Sequence, residues 1–167
     1  MGLDNYPRNL PCKSQGTAVL VPRKDRDGNV LVLEDGSPDL LIDCKATQDC
    51  GGCPYKNDFE ASGLAGGAVY GMFGTDCWYR GKYGNYLLQG IGYNESFDFY
   101  GDQEDGTYKS PESCLEVATV IDEAFDECDE EDGVYRLGGE DITNELKYAS
   151  WYLKWAAEKC NGLVAWY

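Results

Sequence analysis

Two amphipathic stretches in the last third of the chain predict helices. The first begins at Ser110-Pro111, a capping residue followed by proline in the first helical position. Its apolar residues recur every three or four positions: Cys114, Val117, Ala118, Ile121, Ala124 and Phe125. The second follows Asp141 as its cap, has Ile142, Leu146, Ala149, Leu153, Ala156 and Cys160 on one face, and ends at Asn161-Gly162. The apolar residues 163–167 then predict a short closing strand.

The first third of the chain has the pattern of short β-strands. Residues 17–23 and 29–33 are rich in β-formers, and Asp27-Gly28 between them predicts a hairpin turn. Residues 40–43 predict a third strand. Residues 25–29 also resemble a calcium loop slightly, but the later oxygen ligands and the terminal glutamate are missing, which favours the hairpin turn. Residues 44–58 are polar and rich in cysteine, and we expect a loop there.

The middle of the chain differs in composition from both ends. Residues 62–101 hold ten glycines and six tyrosines. Because each glycine costs a helix interior about 1 kcal/mol, strand and loop are predicted there. The fold class is therefore α+β in a single domain, residues 1–167. It comprises N-terminal antiparallel strands with a Cys-rich loop (1–61), a Gly/Tyr-rich β region (62–101) and an acidic, helical region with a terminal strand (102–167).

Charge is concentrated in one segment. The chain has 30 acidic and 14 basic residues and a net charge of −16. Residues 95–141 contain seventeen of the carboxylates, with only Lys109 and Arg136 against them. Such a field repels nucleic acid and anionic membranes and attracts cations or basic protein surfaces. We therefore expect no direct nucleic-acid binding and no membrane binding. A basic protein surface or a small anionic ligand is the expected partner.

Five of the eight cysteines form the strongest chemical signal. Cys50-Gly-Gly-Cys53 allows two thiolates to face one ion, and Cys44 lies six residues before it. The fourth ligand would be Cys12 or Cys77, giving a structural zinc site. Disulfides and plain thiols are the alternatives. A redox dithiol is disfavoured because the residues after Cys53 are not expected to continue as a helix.

The location is predicted from what the sequence lacks. No apolar stretch approaches 18 residues, and the first residues contain no apolar signal core. Reduced thiols are consistent with that absence of an export signal. The expected location is the cytoplasm, or the host cytoplasm if the protein is viral.

A basic-aromatic box, residues 77–86, is the candidate ligand-binding site. It combines cations, an amide and aromatic rings in Trp78, Tyr79, Arg80, Lys82, Tyr83 and Asn85. In a strand, Trp78, Arg80 and Lys82 would share one face, where the guanidinium of Arg80 could bind a phosphate or carboxylate while rings stack on the ligand. The alternative is structural: Arg80 and Lys82 pair with the acidic segment and the rings belong to the core.

Two short stretches resemble a known group of proteins. The opening Met1-Gly2-Leu3-Asp4-Asn5-Tyr6 and the sequence Tyr79-Arg80-Gly81-Lys82-Tyr83 are similar to those of small prokaryotic and phage-encoded proteins. Those proteins open Met-Gly-Leu-Asp-x-Tyr and contain an aromatic-Arg-Gly-Lys box. The group has no established activity. The resemblance implies a cytoplasmic microbial or phage accessory protein and says nothing about chemistry.

The sequence favours a binding protein over an enzyme. It contains no histidine, the commonest general base, and no nucleophile-elbow or phosphate-loop motif. We expect a non-enzymatic interaction protein that sequesters a host factor or a signalling ligand. One alternative is an acidic nucleic-acid mimic that blocks a basic host protein. Another is a zinc-stabilised structural protein of a virus or a salt-tolerant microbe.

Overall fold

A computed structural model describes residues 4–64, 81–93, 108–127 and 133–166 of the chain. Within these residues there are seven strands and six helices, which confirms the α+β class. The strands are β1 (Asp4–Pro7), β2 (Leu20–Pro22), β3 (Leu40–Ile42), β4 (Tyr108–Lys109), β5 (Arg136–Leu137), β6 (Glu140–Asp141) and β7 (Leu163–Trp166). The helices are α1 (Pro11–Ser14), α2 (Cys44–Asp49), α3 (Pro54–Ser62), α4 (Gly81–Gly90), α5 (Pro111–Asp126) and α6 (Thr143–Cys160).

The two predicted C-terminal helices are confirmed, with Ser110 as the predicted N-cap of α5, whereas the N-cap of α6 is Ile142 and not the predicted Asp141. The hydroxyl of Ser110 accepts the backbone N–H of Ser113 at 3.1 Å, and Pro111 occupies the first turn of α5. At α6 the carboxylate of Asp141 accepts the N–H of Thr143 at 3.0 Å, from one residue before the N-cap position. Asn161 ends α6 in the left-handed conformation with φ of 56°. These local signals were all readable from the sequence.

The core forms where α5 packs against α6. Buried side chains on the two facing stripes are Cys114, Val117, Ala118, Ile121, Leu146, Ala149, Leu153, Ala156 and Cys160. Full burial of a Leu, Ile or Val side chain contributes roughly 1.5–3 kcal/mol. This helix pair is therefore a major source of stability within the described residues.

A three-stranded antiparallel sheet, in the order β1-β7-β4, brings the two ends of the chain together. Tyr6 pairs with Val164 and Pro7 with Leu163, while Tyr108 pairs with Val164 from the other side. The predicted terminal strand is confirmed, and it occupies the centre of the sheet.

Residues 44–58 were predicted to be a loop, and that prediction is wrong. They contain α2 and most of α3. The carboxylate of Asp43 accepts the N–H of Ala46 at 2.9 Å and caps α2. Pro54 occupies the first turn of α3, and Tyr55 and Phe59, one helical turn apart, bury its inner face.

The prediction of strand and loop for the Gly/Tyr-rich middle, residues 62–101, is also wrong for residues 81–90, which form α4. Leu87 and Leu88 of this helix are buried in the core. Gly90 allows α4 to approach closely, since a Cβ there would lie 2.3 Å from Cδ1 of Ile142. Burial of the two leucines outweighs the helix cost of the glycines, about 1 kcal/mol each.

Helix α3 is fixed to α6 by aromatic side chains. Rings of Tyr55, Phe59, Tyr148, Trp151, Tyr152 and Trp155 pack with centroid separations of 5.1–6.2 Å. Two polar contacts lie within this cluster. The hydroxyls of Tyr55 and Tyr148 are 2.5 Å apart, and Nε1 of Trp155 donates to Asp58 at 2.8 Å.

In the described parts of the chain, no helix is both long and apolar enough to cross a membrane.

Candidate functional site

Residues 19–43, which we call the β-arm, form three short antiparallel stems that meet at one point. The N–H of Arg23 donates to the carbonyl of Asp39 at 2.8 Å. The N–H of Leu31 donates to the carbonyl of Arg23 at 2.9 Å, and that of Asp39 donates to the carbonyl of Leu31 at 2.8 Å. This closed ring of backbone hydrogen bonds holds the three stems together, although each stem alone would be marginal.

The first stem ends in the predicted Asp27-Gly28 turn, which is confirmed. Lys24 pairs with Val30 across the stem, and Gly28 has φ of 89°. One carboxylate oxygen of Asp25 accepts the N–H groups of Asp27 and Asn29, both at 2.9 Å. Hydrogen bonds from the side chain and then the backbone of Asn29, with smaller contributions from Asp27 and Gly28, lower the pKa of Asp25.

The second stem has the same kind of tip, and the third joins the β-arm to the rest of the chain. At the second tip, Asp35 accepts the hydroxyl of Ser37 at 2.6 Å and its N–H at 2.9 Å, which lowers the pKa of Asp35. In the third stem β2 pairs with β3. It is anchored by Thr47, a buried residue of α2 whose hydroxyl accepts the N–H of Val19 at 2.9 Å.

The β-arm exposes an unusual amount of apolar surface. Its exposed large apolar side chains are Leu20, Val30, Leu31, Val32, Leu33, Leu40 and Leu41. Val32 is the most exposed of them at 63%. Among the described residues, Leu115 of α5 is the only such side chain outside the β-arm. Scattered exposed leucines are ordinary, whereas seven exposed apolar side chains within residues 20–41 make the β-arm a candidate contact surface.

This surface was missed by sequence reasoning. The strands predicted at 17–23 and 40–43 are confirmed as β2 and β3, but the strand predicted at 29–33 is wrong, because Val30 and Val32 form only isolated bridges. Apolar runs of this kind are typical of strands buried on both faces, whereas the apolar side chains here are exposed. One feature of the sequence could have indicated exposed hairpins. The apolar runs are only three or four residues long, and polar turns follow at 25–29 and 34–37.

The structure places three of the five predicted metal ligands, Cys12, Cys50 and Cys53, near one turn, but the described residues contain no complete metal site. Cys53 is buried at the N-cap of α3, and Cys50 is exposed with its thiol 3.3 Å from the carbonyl of Thr47. The hydroxyl of Thr17 lies 2.6 Å from the carbonyl of Gly52 and 3.4 Å from that of Cys12. The backbone of the buried Cys12 therefore lies beside the Cys50–Cys53 turn.

The other two predicted ligands are Cys44 and Cys77. Cys44 begins α2, and Cys77 lies outside the described residues. In the described ranges no three Cys, Asp or Glu side chains gather as metal ligands, and no disulfide joins two cysteines there. The expectation that the chain after Cys53 is not helical is wrong, because Pro54 starts α3. A redox dithiol at Cys50 and Cys53 is therefore no longer disfavoured for lack of a following helix.

The basic-aromatic box lies partly outside the described residues. Trp78, Tyr79 and Arg80 are not among them. Lys82, Tyr83 and Asn85 belong to α4, so the strand in which Lys82 would share a face with Trp78 and Arg80 is wrong from residue 81 onward. At the end of the box, the hydroxyl of Tyr86 donates to the carbonyl of Leu137 at 3.3 Å. That contact ties α4 to the β5–β6 hairpin.

Comparison with known proteins gives this chain no family. No protein-family model matches it, no curated protein is significantly similar in sequence, and no solved structure is significantly similar in fold. The function of this protein is therefore inferred from the described residues and their chemistry.

Proposed function

We propose that this protein acts by binding another protein through the β-arm. The observation that supports this proposal is the concentration of seven exposed large apolar side chains within residues 20–41. Burying such a surface is favourable at about 25 cal/mol per Å² of apolar area, before the cost of association is subtracted. The ring of hydrogen bonds between the stems lowers that cost, because the contact surface is ordered before the partner arrives.

The charge indicates what kind of partner fits. The net charge of −16 makes close approach of a second copy unfavourable. The tips of the β-arm carry exposed charges of both signs, among them Asp27 and Glu34 beside Lys24 and Arg26. A partner with an apolar groove and a net positive charge matches the apolar side chains of the β-arm and the charge of the whole chain. Such a charge would speed association at low salt, and the apolar contact would provide most of the affinity.

The test uses a photo-crosslinking amino acid at single positions, in the cells that naturally produce the protein. Val32 is the test position in the β-arm. Leu115 on α5 is the matched control, because it is also a large exposed apolar residue but is isolated. We expect one discrete adduct from position 32, identified by mass spectrometry as a basic protein, and none from position 115. Leu33→Asp should abolish the adduct.

Other outcomes would contradict the proposal. Adducts of equal yield from positions 32 and 115 would show nonspecific contact, and adducts containing only this chain would show self-association. The acidic-mimic alternative predicts crosslinking from position 116, where Glu116 is an exposed acidic residue of α5, to a nucleic-acid-binding protein. It predicts no adduct from position 32.

A further inference from the structure

A cleft of about 670 Å³ lies between the N-terminal segment and the end of α6. Its wall is fixed to the helix end by backbone hydrogen bonds. The N–H of Arg8 donates to the carbonyl of Gly162 at 3.0 Å, and that of Asn9 donates to the carbonyl of Cys160 at 2.9 Å. The volume is within the range of small-molecule sites, roughly 300–1,000 Å³. The cleft is therefore an open groove large enough for a small molecule.

The charge of this cleft is opposite to that of the whole chain. Arg8, Lys13 and Lys159 line it, and among the described residues Glu158 is the only carboxylate in the lining. Nζ of Lys159 lies 3.0 Å from Glu158, so one of the three cations is already paired. Arg8 and Lys13 remain as exposed cations without a carboxylate partner among the described residues. In a chain of net charge −16, two such cations in one cleft favour the binding of an anion there.

Arg8 is held ready for an anion by an aromatic ring. Its guanidinium carbon lies 4.3 Å from the ring centroid of Tyr108. The hydroxyl of Tyr108 lies 3.5 Å from the carbonyl of Asn161, a residue that also lines the cleft. A guanidinium stacked on a ring has restricted rotation while its N–H edge stays available. Less entropy is then lost when that edge binds the two oxygens of a phosphate.

We propose that this cleft binds a small molecule with a phosphate or diphosphate group, of mononucleotide size or smaller. Arg8 binds the phosphate through two N–H groups, and Lys13 neutralises the second charge. Pro7, Leu10 and Ala157 provide apolar wall for the organic part of the ligand. A long polyanion such as nucleic acid does not fit, because the surrounding field of the chain repels it. The cleft is separate from the β-arm, and its occupancy does not depend on the proposed protein partner.

Isothermal titration calorimetry of the full chain with inorganic pyrophosphate and with ADP tests this proposal. We expect saturable one-to-one binding of both, with ADP tighter because its nucleoside covers the apolar wall. Arg8→Gln should weaken binding at least about tenfold, because it removes two charge-assisted hydrogen bonds and the loss of a single one has about that effect. Lys13→Gln, at an exposed position that should not affect folding, should weaken it similarly. Arg26→Gln in the β-arm removes the same charge and should leave binding unchanged.

Three results would overturn the proposal. The first is the absence of saturable binding of either probe at millimolar concentration. The second is an equal loss in Arg8→Gln, Lys13→Gln and Arg26→Gln, which would reflect the overall charge and not the cleft. The third is wild-type affinity in Lys13→Gln together with a folded Arg8→Gln variant that also binds normally.

Discussion

Gly162 is a residue whose backbone and surroundings both require glycine. It joins α6 to β7 with φ of +90°, and a Cβ there would lie 2.2 Å from the carbonyl oxygen of Lys109. Its own carbonyl accepts the N–H of Arg8, so it also helps to hold the wall of the cleft. One residue thus connects the sheet, the last helix and the N-terminal segment.

Replacing Gly162 should therefore be costly. Gly162→Ala adds left-handed strain of about 1–3 kcal/mol and a backbone clash that only a shift of β4 could relieve. Gly139→Ala is the matched control, because Gly139 has φ of +88° and no atom within 4 Å of its Cβ position. In urea denaturation, the Gly162 variant should lose clearly more unfolding free energy than the Gly139 variant. Equal losses would show that the contact with Lys109 is unimportant.

Asp25 and Asp35 should make the tips of the β-arm sensitive to acid. Their hydrogen bonds lower both pKa values below the ordinary value of 3.8. A lowered pKa in the folded state means that the stabilisation is present above pH 3.8 and is lost as the pH falls through the folded-state pKa. The amide NMR signals of Asn29 and Ser37 should therefore titrate with midpoints below 3.8. Midpoints at or above 3.8 would contradict this prediction.

At the scale of elements, the contact between α3 and α6 includes one polar link. Trp155 is buried and donates its indole N–H to Asp58 at 2.8 Å. Asp58→Ala removes the acceptor and leaves a buried donor unsatisfied, at a cost of about 1–3 kcal/mol. Asp58→Asn keeps an oxygen acceptor at the same place and should cost less. Thermal melts of the two variants test this, and equal melting temperatures would argue against the hydrogen bond.

The zinc site also involves contacts between elements, and it remains a prediction. The position of Thr17 between the carbonyls of Cys12 and Gly52 supports including Cys12 in the ligand set. Protein purified without added metal should contain close to one zinc per chain by elemental analysis. Cys53→Ser should lose most of it, whereas Cys114→Ser, in the stripe between α5 and α6, should keep it. A wild-type zinc content near zero would refute the site.

The elements predicted correctly were those specified by local sequence. Helices α5 and α6 have long apolar stripes and recognisable caps, and the Asp27-Gly28 turn needs only its own residues. Helices α2 and α3 have six and nine residues and little apolar periodicity. They depend on distant partners, as in the contact between Tyr55 and Tyr148, 93 residues apart. Such tertiary contacts leave no periodic signal in the sequence.

The candidate sites also divide into features specified by local sequence and features that depend on tertiary contacts. Strands β2 and β3 of the β-arm were predicted correctly, but the strand expected at 29–33 is reduced to isolated bridges, and the exposure of the apolar side chains depends on tertiary structure. The cleft was not predicted, because Arg8, Lys13 and Lys159 come from opposite ends of the chain. They meet only because β1 pairs with β7. The local cluster of cations at residues 80–82 was more conspicuous in the sequence than these three separated ones.

At the scale of the whole molecule, charge opposes compactness. The net charge is −16, and seventeen carboxylates lie within residues 95–141. Repulsion among them destabilises the folded state more than the expanded one, because folding brings the charges closer together. The Debye length falls from about 30 Å at 0.01 M salt to about 10 Å at 0.1 M. Salt should therefore stabilise this protein.

We expect the melting temperature to rise by at least about 2–4 °C between 10 mM and 0.5 M NaCl at pH 7, the shift that 1 kcal/mol produces in a domain of this size. The control is the same pair of melts near pH 4.2, the isoelectric point calculated from the sequence, where the net charge is close to zero. There the effect of salt should largely disappear, because little net repulsion remains to be screened. An equal rise at both pH values would show that NaCl acts by exclusion from the protein surface. A fall at pH 7 would show that attractive ion pairs, such as the one between Lys154 and Asp122, outweigh the repulsion.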